Sequence, residues 1–156
     1  LVATDFSKPS GVALAYGRDL ARNHNARLHV LHVVDDAMVR YAPEGGFISA
    51  DSQQDIDAAA SRDLNALVTD EDRRELDAVT VIERGINPAD TIIKYAKEHS
   101  IDLIVTGTHG RAAVKRFLMG SVAERVVRMA PCPALTVHTD EPDFIVPDAL
   151  ALAASG

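Results

Sequence analysis

The residue types best suited to chemistry are gathered between positions 107 and 121. Gly107-Thr108-His109-Gly110 is followed by nine residues and then by Gly120-Ser121. Glycine lets a backbone approach a ligand closely and adopt positive φ without a Cβ penalty. Successive N–H groups in such a loop can enclose phosphate oxygens. A helix opening at Ser121 would add unpaired N–H groups and the positive end of its dipole, and the Ser121 hydroxyl can donate as well. From Gly107 to Arg128 the basic residues are Arg111, Lys115, Arg116, Arg125 and Arg128, against the single acid Glu124, in a chain whose net charge is −7. A local basic segment in an acidic protein suits an anionic small molecule. Solvated side chains would give the same composition, and paired glycines after a strand are common. No Lys-Ser or Lys-Thr follows a glycine here, so the P-loop pattern is absent, as is the three-glycine dinucleotide pattern after the first strand.

Other reactive types read differently. His109 lies inside the glycine loop and reads as a partly exposed loop residue rather than a catalytic one. His29 and His32 are three apart on a predicted strand, so they point to opposite faces and cannot share a metal. Cys132 stands between two prolines and reads as packing, not as a reactive thiol. Asp35 and Asp36 read as an acidic strand end facing solvent.

The elements that must position these groups follow from periodicity. Leu1 to Thr4 is a short apolar run ending at Asp5, and Ser7 or Ser10 can cap the helix that follows to about Asn23. Arg27 to Val34 is rich in β-formers and predicts a second strand. Residues 35–50, with Pro43, Gly45 and Gly46, predict a long loop. A helical stretch from Asp51 to about Asp77 carries an apolar stripe of Ile56, Ala60, Leu64 and Leu67, interrupted near Thr69 to Asp72. Val79 to Glu83 predicts a third strand, ended by Gly85. Asn87-Pro88-Ala89-Asp90 is a strong helix start, with Ile92, Ile93 and Ala96 facing inward. Ile101 to Thr106 predicts a fourth strand buried on both faces, Ser121 to Met129 a helix, and Ala134 to His138 a fifth strand. This alternation predicts a single-domain, doubly wound (Rossmann-like) α/β fold: a five-stranded parallel sheet with helices on both faces. In such a sheet, ligands sit beyond the carboxyl ends of strands at a topological switch point, which places Asp5 and the 107–121 segment at one crevice.

Apolar residues make up 47% of the 156, enough for a sizeable core, and no stretch approaches the roughly 20 apolar residues of a membrane span. The negative net charge argues against nucleic acid or anionic lipid as partners of the whole chain. One cysteine permits no internal disulfide, consistent with a reducing cytoplasm. The opening at Leu1 reads as a register starting just inside a first strand, without signal-peptide layout. Residues 139–156 carry acids, Pro142 and Pro147, then an Ala/Leu stretch, and read as a disordered tail or a short docking helix.

The spacing Gly107-x2-Gly110-x9-Gly120-Ser121 resembles the ATP-binding signature of the universal stress protein family. The flanking words agree: Asp102-Leu103-Ile104-Val105 before it, Gly120 to Val126 within it, and Ala130-Pro131-Cys132-Pro133 after it. Ala3-Thr4-Asp5-Phe6-Ser7 and His32-Val33-Val34-Asp35 close the first two strands in the family manner, so the resemblance spans about 1–138. It implies that Ala3, Thr4 and Asp5 lie around adenine and ribose, with Asp5 a ribose or adenine partner. It implies further that Val33 contacts adenine, that Thr106 and Gly107 line the nucleotide, and that Gly110, Gly120, Ser121 and Val122 bind phosphate. Thr106 departs from the pattern, since a larger apolar residue is frequent there. Asp5 could also help hold a Mg2+ that accompanies ATP. The family implies a homodimer through the last strand, here Ala134-Leu135-Thr136-Val137.

The expected function is a cytoplasmic, ATP-dependent regulatory protein of the stress response, not an enzyme, with at most slow hydrolysis because no general base can be placed at the γ-phosphate. Two alternatives remain at this point. One is a nucleotide-independent dimerisation module. The other is an enzyme of the ATP α-hydrolase type, which would carry a Ser-Gly-Gly-type loop where this chain has Asp5-Phe6-Ser7-Lys8-Pro9.

Overall fold

In a computed structural model of the chain, residues 1–35, 50–108 and 119–138 are described. The expected loop at 35–50 falls, beyond its two end residues, outside the described residues, as do Gly110, His109 and the tail from 139. The elements run β1 (Val2–Ala3), α1 (Lys8–His24), β2 (His29–Asp35), α2 (Ala50–Leu67), α3 (Asp70–Glu75), β3 (Val79–Gly85), α4 (Pro88–Glu98), β4 (Ile104–Gly107), α5 (Ser121–Met129) and β5 (Ala134–Val137). All strands pair in parallel, in the order β3-β2-β1-β4-β5. The expected doubly wound sheet is therefore present.

Register explains the two-sided core. Val2 lies opposite Val30 and Val105, and these three face α1; Ala3 lies opposite Leu31 and Thr106 on the other face. Leu14 of α1 and Leu64 and Val68 of the α2 stretch complete the first core, while Ile92, Tyr95 and Ala96 of α4 and Val126 of α5 complete the second. Because α1 leaves β1 toward one face and α5 leaves β4 toward the other, the switch point lies between β1 and β4.

Local chemistry sets the element ends. Ser7, not Ser10, is the N-cap of α1, and its side chain accepts from the Ser10 amide. Asn25 ends that helix in the left-handed conformation, with the Ala26 amide returning to the Ala21 carbonyl at 2.9 Å. The interruption expected near Thr69 divides the stretch into two helices, because Thr69 and Asp72 form a reciprocal capping box. β4 starts at Ile104 rather than at 101. The Ile101 amide is committed to the Ala96 carbonyl at 2.9 Å as α4 unwinds through Ser100 at φ 50°. Ile56 drops out of its stripe, being 45% exposed, since Asp57 is the residue turned to β3, where it meets Arg84 at 2.6 Å. Tyr95, absent from the expected inward set, is buried; its hydroxyl lies 2.8 Å from His29 Nδ1, and its ring stacks on His99.

Close packing of α1 on β1 rests on Gly17, where a Cβ would meet the Val2 side chain in the core. Gly17→Ala should lower stability by about 1–2 kcal/mol net, overpacking outweighing the helix-propensity gain. Gly11→Ala, in open space on the same helix, should instead be neutral or stabilising by up to about 1 kcal/mol. Thermal unfolding of the two variants gives opposite signs if the packing at Gly17 is as described.

Candidate functional site

The site is built where β1 and β4 end. β1 gives way to the turn Thr4-Asp5-Phe6-Ser7, which feeds α1. Thr4 is buried; its hydroxyl donates to Ser10 Oγ at 3.1 Å and accepts the Phe6 amide at 3.1 Å. That hydroxyl serves the turn from the α1 side. Asp5 Oδ1 accepts the Ser7 amide at 3.1 Å and the Ser7 hydroxyl at 2.5 Å, so the carboxylate is fixed by the residue that caps α1. Phe6 sits at φ 63°, where a bulky side chain costs on the order of 1–3 kcal/mol.

Across the switch point, Thr106 pairs with Ala3, and Gly107 ends β4. A Cβ on Gly107 would lie 2.9 Å from the Pro9 carbonyl carbon and 3.1 Å from its oxygen. The first turn of α1 thus lies directly against the end of β4, a reason for glycine here beyond approach to a ligand. Thr108 then donates its amide to the Val137 carbonyl at 2.9 Å and accepts the Gly120 amide at 2.7 Å. Two short bonds therefore hold the start of α5 beside the carboxyl ends of β4 and β5. Gly120 is the N-cap of α5, and no side chain caps that end, whereas Ser7, Thr69 and Asn87 cap α1, α3 and α4 among the described residues. Amide donors at an end of this kind suit phosphate oxygens.

Ala3, Val33 and Val122 all belong to the core facing α4 and α5, so they supply an apolar strip on one side of the crevice, with Asp5 beyond the end of β1. Of the residues expected at a nucleotide site, Ala3, Thr4, Asp5, Thr106 and Gly107 converge at the switch point. Gly120, Ser121 and Val122 are joined to them through Thr108. Val33 stands two residues beyond Leu31, the strand partner of Ala3. Gly110 lies outside the described residues.

A cavity of about 700 Å³ opens beside α5, lined by Ser121, Val122, Arg125 and Met129 together with Ile86 to Pro88 at the start of α4. Arg125 is tied to Asp90 of α4 at 2.6 and 3.1 Å. The basic character read at this end of the chain is therefore partly neutralised within the protein. Burial pushes the Cys132 thiol up, which keeps it protonated and agrees with packing rather than reactivity. His29 meets Tyr95 of α4 while His32 meets Thr4 and Phe6 on the α1 side, so the two histidines do face apart. Among the described residues no cluster of three or more metal-ligating side chains occurs, and no helix is long and apolar enough to cross a membrane.

Sequence reasoning weighed His32 only as a metal ligand and gave it no part in the site, although it neighbours this turn. Its signal is faint: a polar ring in an apolar strand, which acquires meaning only once β1 and β2 are paired.

Comparison with known proteins is consistent across sequence and structure. The model of the universal stress protein family matches residues 1–138. The universal stress protein YxiE of Bacillus subtilis is 32% identical over 146 residues, covering 88% of this chain and 97% of its own. The solved universal stress protein UspA of Lactobacillus plantarum superposes with a TM-score of 0.68 at 29% identity, covering 87% of this chain and 94% of its own. A universal stress protein from Archaeoglobus fulgidus, solved in complex with dAMP, has a TM-score of 0.57 at 22% identity over 86% of this chain and 93% of its own. At that identity it speaks for the fold alone.

Proposed function

The chain belongs to the universal stress protein family, and from that premise we propose that it is an ATP-binding regulatory protein of the stress response. The observation that carries the reading is the α5 start: a glycine N-cap without a capping side chain, held beside the end of β4 at the switch point of the sheet. Phosphates meet the amides of Ser121 and Val122, the Gly120 amide being bonded to Thr108, and the base lies on the strip of Ala3, Val33 and Val122. Asp5, whose ionised carboxylate accepts and does not donate, takes ribose hydroxyls and supplies an oxygen ligand to an accompanying Mg2+. Shared family membership makes the dAMP held by that universal stress protein a precedent for an adenine nucleotide as the ligand class.

The acid in the first turn of α5, Glu124, is paired with Arg128 at 3.7 Å, and we read the site as one of ligand-dependent regulation with at most slow hydrolysis. The edge strand β5, with Leu135 36% exposed, is the surface through which two copies would pair.

The test is to purify the protein without added nucleotide, denature it and identify released small molecules by mass spectrometry, then to titrate ATP with Mg2+. Ser121→Glu is the diagnostic variant. A carboxylate in the first turn stabilises α5 by about 0.3–1 kcal/mol, yet repels phosphate. We expect ATP affinity to fall at least about tenfold with no loss of thermal stability. Unaltered binding by this variant would place the phosphates elsewhere. Wild-type protein that carries no nucleotide and ignores millimolar ATP would leave the dimerisation module as the better reading.

A further inference from the structure

Resting on the reading that this crevice takes an adenine nucleotide, we infer that His32 is a positioning residue that locks the Thr4-Asp5-Phe6-Ser7 turn, so that the Asp5 carboxylate is presented to ribose. His32 Nδ1 lies 2.8 Å from the Thr4 carbonyl oxygen. A carbonyl can only accept, so Nδ1 carries the hydrogen and donates, in either charge state of the ring. The other side of the contact is the Phe6 ring, whose centroid is 4.3 Å from that of the imidazole. One side chain from β2 therefore holds the turn twice, at the carbonyl before Asp5 and at the ring after it.

The turn needs holding. Phe6 sits at φ 63°, a left-handed conformation that a large side chain keeps only where its surroundings impose it. The amide of Phe6 is bonded to Thr4 Oγ1 and that of Ser7 to Asp5 Oδ1, so relaxing Phe6 disturbs both bonds and swings the carboxylate. Ser7 holds the Asp5 carboxylate at the start of α1, and on the present inference sugar hydroxyls, not the base, meet it there. The pairing of β1 with β2 brings His32 to the turn, since Ala3 lies opposite Leu31.

Two substitutions separate positioning from packing. His32→Leu keeps volume and removes the donor; His32→Asn carries an N–H near the place of Nδ1. Binding of ATP and of 2′,3′-dideoxy-ATP is measured by calorimetry for each, alongside amide hydrogen exchange of the nucleotide-free proteins. We expect wild-type protein to prefer ATP and His32→Leu to lose about tenfold in ATP affinity. Dideoxy-ATP should be affected far less, so that the preference collapses, and His32→Asn should restore it. Equal losses for both nucleotides would overturn the inference, since a structural defect weakens them together. If wild-type protein binds neither nucleotide, the functional reading fails and exchange decides on His32. Faster exchange at the Phe6 and Ser7 amides in His32→Leu, and not in His32→Asn, upholds the lock; unchanged exchange refutes it.

Discussion

Asp72→Ala should lower the unfolding free energy by about 3–5 kcal/mol and the melting temperature by on the order of 10 °C, at about 2–4 °C per kcal/mol for a chain of this size. The residue is 3% exposed, and its carboxylate does two jobs at once. It receives Arg18 Nε at 2.9 Å and Arg18 NH2 at 2.8 Å, joining α3 to α1. It accepts the Thr69 amide at 2.9 Å, closing the capping box that starts α3. Its residue also anchors the exit of that helix, through its carbonyl, which accepts the Leu76 amide at 2.9 Å. Without the carboxylate, Arg18 keeps, among the described residues, the Leu67 carbonyl at 2.5 Å, and the helix start loses a partner. Burial alone would raise the Asp72 pKa, but the bonds from Arg18 and Thr69 outweigh it and hold the group below its ordinary 3.8. A depressed carboxylate contributes stability that is present above pH 3.8 and lost as pH falls through the lower native value. Acid titration of wild-type protein should therefore show a stability loss below pH 3.8 that Asp72→Ala lacks. Denaturant midpoints measured across pH 2–6 would show it; parallel curves for the two proteins would refute the assignment.

The second large effect is expected at Gly107→Val. The atoms facing this residue are the Pro9 carbonyl and the Cβ of its ring, neither of which can step aside as a flexible side chain could. The added methyl groups must push the first turn of α1 away from β4. Overpacking of this kind costs about 1–3 kcal/mol. The larger consequence falls on the ligand, because Pro9 follows two residues after Ser7, the residue that caps α1 and orients Asp5. Loss of the Asp5 contact and distortion of the crevice should weaken ATP by about tenfold to a hundredfold, a charged hydrogen bond being of that size. Calorimetric titration set beside thermal unfolding separates the two effects. A destabilised Gly107→Val protein that still binds ATP like wild type would show that the α1 start plays no part in the site.

These two residues also mark how far the sequence could be read. The alternation of strands and amphipathic helices was legible because the Val/Ile runs and the Asn87-Pro88 helix start are local signals, and each expected strand and helix is present in the structure. The break at Thr69 was legible too, from Thr and Asp three apart. The burial of Asp72 was not, since it depends on Arg18, 54 residues away on another helix. The strand ends missed at β1 and β4 were decided by helix caps and a turn, where a few backbone bonds outbid β propensity. At the site, the crevice beyond β1 and β4 followed from topology, while the roles of its glycines were implied by the family resemblance. The left-handed Phe6, the His32 contact and the Arg125–Asp90 tie did not, because each needs the fold before the partners meet.

The central strand carries a consequence for how the molecule is made. β1 is two residues long and lies between β2 and β4, yet its β4 partners arrive roughly a hundred residues later in the chain. A ribosome adding about 5–20 residues per second needs on the order of ten seconds to deliver them. During that interval β1, β2 and β3 can assemble under α1 and α2, but one edge of the nascent sheet stays open along Val2 and Ala3. Chains interrupted before Ile104 would display that edge indefinitely. Such fragments should self-associate, and the newborn chain stays exposed to this fate until its second half closes the sheet.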